Sequence, residues 1–226
     1  MLTQRFPIPA FESDPFASGL GPTLPLFMTL AWLYTVSLTI KSVVWEKEQN
    51  LDVIMHLRGL SGSAYWCSWL VTALLTSLPS VGILTLLLKL GNILRFTDGL
   101  VLFLFLETFV LSSLLFAMLI SVFFRQAKIA SAVGGILYFC LYIPFVIVAL
   151  SLDTLPVSSK YGASTLSTTA FGIGVYYMAH FEQLETGVQW SSLHHGIGTC
   201  DQFSVAAAWG MLCLDCLLYA ALSWYF

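Results

Sequence analysis

The 226 residues are 58% hydrophobic and only 9% charged, with a mean hydropathy of +0.86. A soluble domain carries about 25% charged side chains, so the composition excludes a soluble module and indicates a polytopic membrane protein. The net charge of −3, without any basic run, excludes a nucleic-acid partner.

In chain order, residues 1–22 are rich in Pro, Gly and Phe and read as the tail end of another unit. Met1–Pro9 lacks a charged segment followed by an apolar core, so it is not read as a signal peptide. Five apolar runs follow, at about 24–44, 64–88, 100–124, 130–150 and 205–226. Each reaches or exceeds the ~20 residues that cross a bilayer as a helix. Tyr65, Trp66 and Trp69 open the second run as interface anchors. Pro79 is expected to kink that run, and Pro144 interrupts the fourth. Residues 151–204 are mixed; within them Leu166–Phe181 is apolar but rich in Ser, Thr, Gly and Tyr. That segment is short for a span and reads as a re-entrant or interfacial helix.

The stretch Lys41–Ser63 stands out between the first two runs, because it holds six of the chain's 21 charged residues. Its spacing predicts a helix over about 45–59, with Glu48, Asp52 and His56 on one face and Val53, Leu57 and Leu60 on another. Gly59 and Ser61-Gly62-Ser63 stop it. Taken alone, this is an interfacial connector. Lys41, Lys47, Arg58, Arg125 and Lys128 fall on one side of the membrane, against Arg5, Lys89, Arg95 and Lys160 on the other. That balance puts the charged helix in the cytosol.

Few residues carry chemistry of their own. No G-x-x-x-x-G-K-[ST] sequence exists to cradle phosphates, and Leu60-Ser61-Gly62-Ser63 lacks the second Gly and the Gln of an ATPase signature. Glu107 and Asp215 are acids inside spans, where ionisation costs ~3 kcal/mol on insertion scales. Glu107 is expected near an interface, and Asp215 in a structural hydrogen bond or a transport role. A protease-like pairing of the two lacks the surrounding motif. His180, His194, His195 and Cys200 read as solvent-facing rather than metal ligands, and Cys213 and Cys216 as packing residues within a span.

Several stretches resemble the A subfamily of ABC transporters. Its pattern E-K-E-x-x-L-x-x-x-M-x-x-x-G-L is met by Glu46-Lys47-Glu48, Leu51, Met55, Gly59 and Leu60. Further matches follow in order: Lys89–Leu94, Ala132–Phe139, Tyr142-Ile143-Pro144, Ser167–Gly174, Gly187–Trp190, then Leu214-Asp215, Tyr219 and Ser223-Trp224-Tyr225. Acidic Asp52 and Val53 depart from the residues often found at those positions.

The resemblance implies an all-α membrane protein of the ABC-2, type V exporter-like class. Residues 1–22 would end an extracellular region, and 23–226 would form the transmembrane domain. Within it lie a cytoplasmic coupling helix at about 45–59 and a re-entrant extracellular hairpin within 151–204. The coupling residues would be Glu46, Lys47, Glu48, Leu51, Met55, Leu57, Arg58 and Gly59. Implied partners are a cytoplasmic nucleotide-binding domain, a second transmembrane half and membrane lipids. The chain itself takes no cofactor; ATP and Mg belong to the ATPase domain. The function implied is lipid export, with a non-transporting membrane scaffold as the alternative.

Overall fold

The computed structural model describes residues 15–59, 61–150, 156–184, 186–194, 196 and 203–225. Among these the chain forms α1 (Pro15–Glu48), α2 (Leu51–Leu57), α3 (Gly62–Leu90), α4 (Gly99–Phe123), α5 (Ala127–Cys140), α6 (Ile143–Leu150), α7 (Val157–Ala163), α8 (Ser167–Gln183) and α9 (Val205–Tyr225), and no strand. Five segments are long and apolar enough to cross a membrane: Thr23–Glu48, Gly62–Leu90, Gly99–Phe123, Ala127–Leu150 and Val205–Tyr225. All five expected spans are present.

The bundle is built around α4. This helix buries 67% of its most apolar stretch, whereas α3 buries 22% and turns most of its surface outward. Helices α1, α3 and α9 pack on α4. Phe109 stacks on Phe171 of α8 at 3.8 Å between ring centroids, and Ser113 shares a hydrogen bond of 2.9 Å with Tyr138 of α5. Helix α1 lies closely along α5 because Gly134 and Gly135 have no side chains. A Cβ at Gly134 would meet Ile40 Cδ1 at 2.4 Å, and one at Gly135 would meet Ser37 Oγ at 2.7 Å. Small residues at a helix contact let backbones approach in this way.

Two helix boundaries differ from the sequence reading. Helix α1 begins at Pro15, so residues 15–22 are helical and continuous with the first span. Proline suits the first turn of a helix, where its missing donor would go unused. The expected helix over 45–59 is two pieces: Trp45–Glu48 is the end of α1, and only Leu51–Leu57 forms α2. The chain turns at Asn50, whose φ of 55° lies in the left-handed region that Asn tolerates. Glu48 therefore does not share a helix face with positions 52 and 56.

The fourth span is divided at Leu141-Tyr142, beside the expected interruption at Pro144. Pro144 has no N–H to donate to the Cys140 carbonyl, and Phe145 N donates to the Tyr142 carbonyl at 3.1 Å, which leaves the Leu141 carbonyl to accept from Thr169 Oγ1 at 3.0 Å. Helix α8 is enclosed by protein. Every residue from Ser167 to Val175 is buried, and α1, α6 and α9 all pack on it. Buried Lys160 of α7 donates to the Tyr177 hydroxyl of α8 at 3.2 Å. Helix α3 runs through Pro79 without a break. The side chains of Asp52 and His56, with Leu60, Glu185, His195, Cys200 and Asp201, lie outside the described residues.

At the end of the bundle away from α2, the far end of α8 is fastened to the α3–α4 link. Glu182 accepts from Phe96 N at 2.6 Å, Thr97 N at 3.1 Å and Thr97 Oγ1 at 2.9 Å. Asp98 N donates to the Val188 carbonyl at 2.9 Å. Gly187, with φ of 60°, brings its backbone against this link; a Cβ there would lie 2.2 Å from the Phe96 carbonyl carbon. Gly187→Ala should therefore destabilise the protein by about 2 kcal/mol or more, since backbone cannot move aside and the conformation is strained for any side chain. Gly162→Ala, with open space around it, should be neutral or slightly stabilising. Thermal unfolding of the two variants in detergent checks both outcomes.

Candidate functional site: the end of the bundle that carries α2

Three consecutive charged residues end α1, and each engages a different helix. Glu46 Oε2 accepts from the Tyr65 hydroxyl at 2.9 Å and from Trp69 Nε1 at 3.1 Å, both on α3. Lys47 Nζ donates to the Ser121 carbonyl in the last turn of α4 at 3.0 Å and lies 5.4 Å from the Trp66 ring centre. Glu48 Oε2 accepts from Ala127 N, the first residue of α5, at 3.1 Å.

The chemistry of helix ends explains the choice of charge. The last carbonyls of α4 have no partner within the helix and form its negative pole, which suits an ammonium group. The first N–H groups of α5 form a positive pole, and Gln126 supplies no side-chain cap. Glu48 fills that role from another helix. Tyr65 and Trp69, the expected interface anchors, are donors to Glu46.

Helix α2 hangs from this tie through Gln49-Asn50. Met55 points back, lining a cavity of ≈ 290 Å³ with Glu46, Tyr65, Ser68, Trp69 and Thr72. Val53, Ile54 and Leu57 are exposed, Leu57 by 83%. They fall at i, i+1 and i+4, on one side of the helix. Leu51, Arg58 and Gly59 are exposed as well. The sequence-derived coupling set thus separates. Glu46, Lys47 and Glu48 bind the chain's own helices, Met55 faces inward, and Leu51, Leu57 and Arg58 are presented outward.

Sequence reasoning missed a cleft between α1 and α3. It has a volume of ≈ 340 Å³ and is lined by Thr35, Thr39 and Ser42 on one wall and Thr72, Thr76 and Ser80 on the other, with Trp32 and Trp69 beside them. Ser68, Thr72, Thr76 and Ser80 recur every fourth residue, and this period was the signal available in the sequence. Thr72, Thr76 and Ser80 each donate to the carbonyl four residues earlier. The cleft wall thus offers hydroxyl oxygens without orphaned donors.

The two acids within spans are not brought together. Glu107 accepts from Ser77 Oγ at 3.1 Å, midway along α3. Its neighbour Thr108 faces the other way and accepts from Trp209 Nε1 of α9 at 2.9 Å. Asp215, also on α9, is 0% exposed, and neither carboxylate oxygen has a hydrogen-bond partner. Among the described residues no three His, Cys, Asp or Glu side chains form a metal-holding group.

Comparison with known proteins places this architecture. Residues 7–225 match the family described as ABC-2 family transporter protein. The chain is 42% identical over 225 residues to the phospholipid-transporting ATPase ABCA7 of Homo sapiens, covering 98% of this chain and 10% of that protein. It is 37% identical over 222 residues to the retinal-specific phospholipid-transporting ATPase ABCA4 of Bos taurus, with the same coverage. It is 36% identical over 226 residues to ATP-binding cassette sub-family A member 2 of Rattus norvegicus, covering 98% of this chain and 9% of that protein. The chain therefore spans about a tenth of these relatives' length. With five helices able to span a bilayer and a family match over almost its whole length, this multi-pass membrane protein belongs to the ABC-2 family of transporter proteins.

Proposed function

We propose that this chain is the membrane domain of an ATP-driven transporter that moves phospholipid across or out of the bilayer. We further propose that α2 is the point at which a cytoplasmic ATPase domain acts on it. The observation that carries the coupling role is the division of labour at the end of α1: Glu46, Lys47 and Glu48 bind α3, α4 and α5, and the apolar side of α2 is left outward. A short helix that exposes Val53, Ile54 and Leu57 suits a groove on a partner.

In this reading ATP and Mg are bound by the partner domain. Closure of that domain displaces α2. Because α2 hangs from α1 next to the three-way tie, the displacement reaches α1, α3, α4 and α5 as one body and not as a local bend. The cleft between α1 and α3 would supply a polar-lined path beside lipid, where a headgroup can exchange water for hydroxyl oxygens while acyl chains stay in the membrane. The names of the relatives support phospholipid as the cargo class.

Leu57→Asp tests the coupling role. The side chain is exposed, so thermal stability and membrane insertion should be unchanged. Placing a carboxylate in an apolar contact should lower lipid moved per ATP by about tenfold or more in the assembled transporter. An unchanged ratio with normal expression makes α2 a plain connector. Glu48→Ala should act differently, lowering stability by about 1 kcal/mol through loss of the α5 cap and, because it removes the α5 arm of the tie, lowering the transport-to-ATP ratio as well, whereas Leu57→Asp leaves stability unchanged. Paired transport, ATPase and melting measurements separate the two behaviours.

The chain has no phosphate-binding loop in its sequence. Purified alone, it should neither bind nor hydrolyse ATP; turnover that copurifies with the chain through successive chromatography steps would contradict this assignment.

A further inference from the structure

At the α2 end of the cleft between α1 and α3 lies the smaller cavity of ≈ 290 Å³. Trp69 and Thr72 line both, so the two spaces adjoin. Three helices build the smaller one. Glu46 comes from α1, Met55 from α2, and Tyr65, Ser68, Trp69 and Thr72 from α3. Ser68 and Thr72 are exposed, so the α3 wall is accessible from outside the bundle.

The chemistry of this lining is one-sided. Among the described residues the two spaces are lined by one charged side chain, Glu46, and by no Lys or Arg. Lys47, the next residue, is turned to the Ser121 carbonyl and the Trp66 ring. The hydrogen bonds from Tyr65 and Trp69 both fall on Glu46 Oε2, which leaves Oε1 for a further donor. The hydroxyls carry the same bias. Ser68 donates to the Tyr65 carbonyl at 2.8 Å, Thr72 to the Ser68 carbonyl at 2.8 Å, and Thr39 on the facing wall to the Thr35 carbonyl at 2.9 Å. With their hydrogens committed to backbone, these groups present lone pairs. A wall of acceptors beside a carboxylate attracts a cation and repels an anionic oxygen. Tyr65 and Trp69 add aromatic rings fixed by their bonds to Glu46, and Met55 adds a polarizable thioether. Aromatic rings attract alkylammonium groups, and a thioether adapts to their shape.

We propose that this cavity binds the ammonium group of a zwitterionic phospholipid, and so favours such lipids over those of net negative charge. The role given to the cavity rests on the reading of the cleft as a lipid path and supplies the headgroup class. A phospholipid is the source of the ammonium group because the cavity adjoins a cleft between two membrane-spanning helices. The headgroup phosphate, which meets no base in the lining, stays at the aqueous rim while the ammonium group enters.

The test is native mass spectrometry of the purified chain, without ATP, released from micelles that hold equal amounts of phosphatidylcholine and phosphatidylglycerol with identical acyl chains. Wild type should retain phosphatidylcholine over phosphatidylglycerol by about fivefold. Glu46→Gln should remove the preference. Ser68→Lys leaves the Glu46 hydrogen bonds in place and puts a cation at an exposed position of the wall. It should reverse the preference, and it gives a reading even if Glu46→Gln fails to fold. Equal retention by wild type, or a wild-type ratio in Ser68→Lys or in folded Glu46→Gln, would overturn the proposal. Displacement of the retained lipid by an equal concentration of free choline would overturn the phospholipid as the source. The expected preferences in a chain whose assembled transporter moves no lipid would support the site and contradict the transport reading.

Discussion

The tie formed by Glu46, Lys47 and Glu48 is the constraint on which the α2 end of the bundle depends. Three helix ends or helix sides converge there and present polar groups to it: the donors of Tyr65 and Trp69, the Ser121 carbonyl of α4 and the first N–H of α5. One acid, one base and one acid in succession satisfy all of them from a single strand of backbone. Consecutive residues on a helix project about 100° apart, so each reaches a different neighbour without bending α1. The exchange of a solvated charge for a hydrogen bond to a helix pole is favourable, typically by about 0.5–2 kcal/mol.

The opposite end of the molecule is held by another device with the same logic. Glu182, at the end of α8, gathers two backbone N–H groups and a hydroxyl from the α3–α4 link. Between the two ends the interior is apolar and aromatic, with Phe105, Phe109 and Phe171 stacked where α4 meets α8. In a membrane, where apolar surface gains little by leaving lipid, such packing and hydrogen bonds have to hold the helices together. Charged ties therefore mark the two ends, and close-packed small and aromatic residues dominate the middle, with buried polar groups such as Ser113 and Tyr138 paired among them.

Much of this was legible in the sequence because bilayer thickness leaves few choices for long apolar runs. The five spans and the two charged or polar links follow from hydropathy alone, and the break in the fourth span follows from Pro144. The continuous helix over 45–59 was misread because periodicity takes no account of Asn50, whose left-handed conformation separates α1, ending at Glu48, from α2, starting at Leu51. The depth of α8 was missed because Ser, Thr and Gly depress hydropathy although Ser167–Val175 is fully enclosed by protein. The roles of Glu46, Lys47 and Glu48 were open to misassignment for another reason. Their partners are far along the chain, Ser121 and Ala127 among them, and a single sequence carries no mark of such pairs.

The central claim is that the three-way tie makes α2 and the neighbouring helix ends move as one body. Spin labels placed at exposed positions 57 on α2 and 128 on α5 allow pulsed dipolar spectroscopy to measure the distance between them in the assembled transporter, without nucleotide and with ATP trapped. The account predicts one narrow distance distribution, the same in both states. A distribution that shifts or broadens on trapping ATP would show that α2 moves independently of α5, and would contradict it.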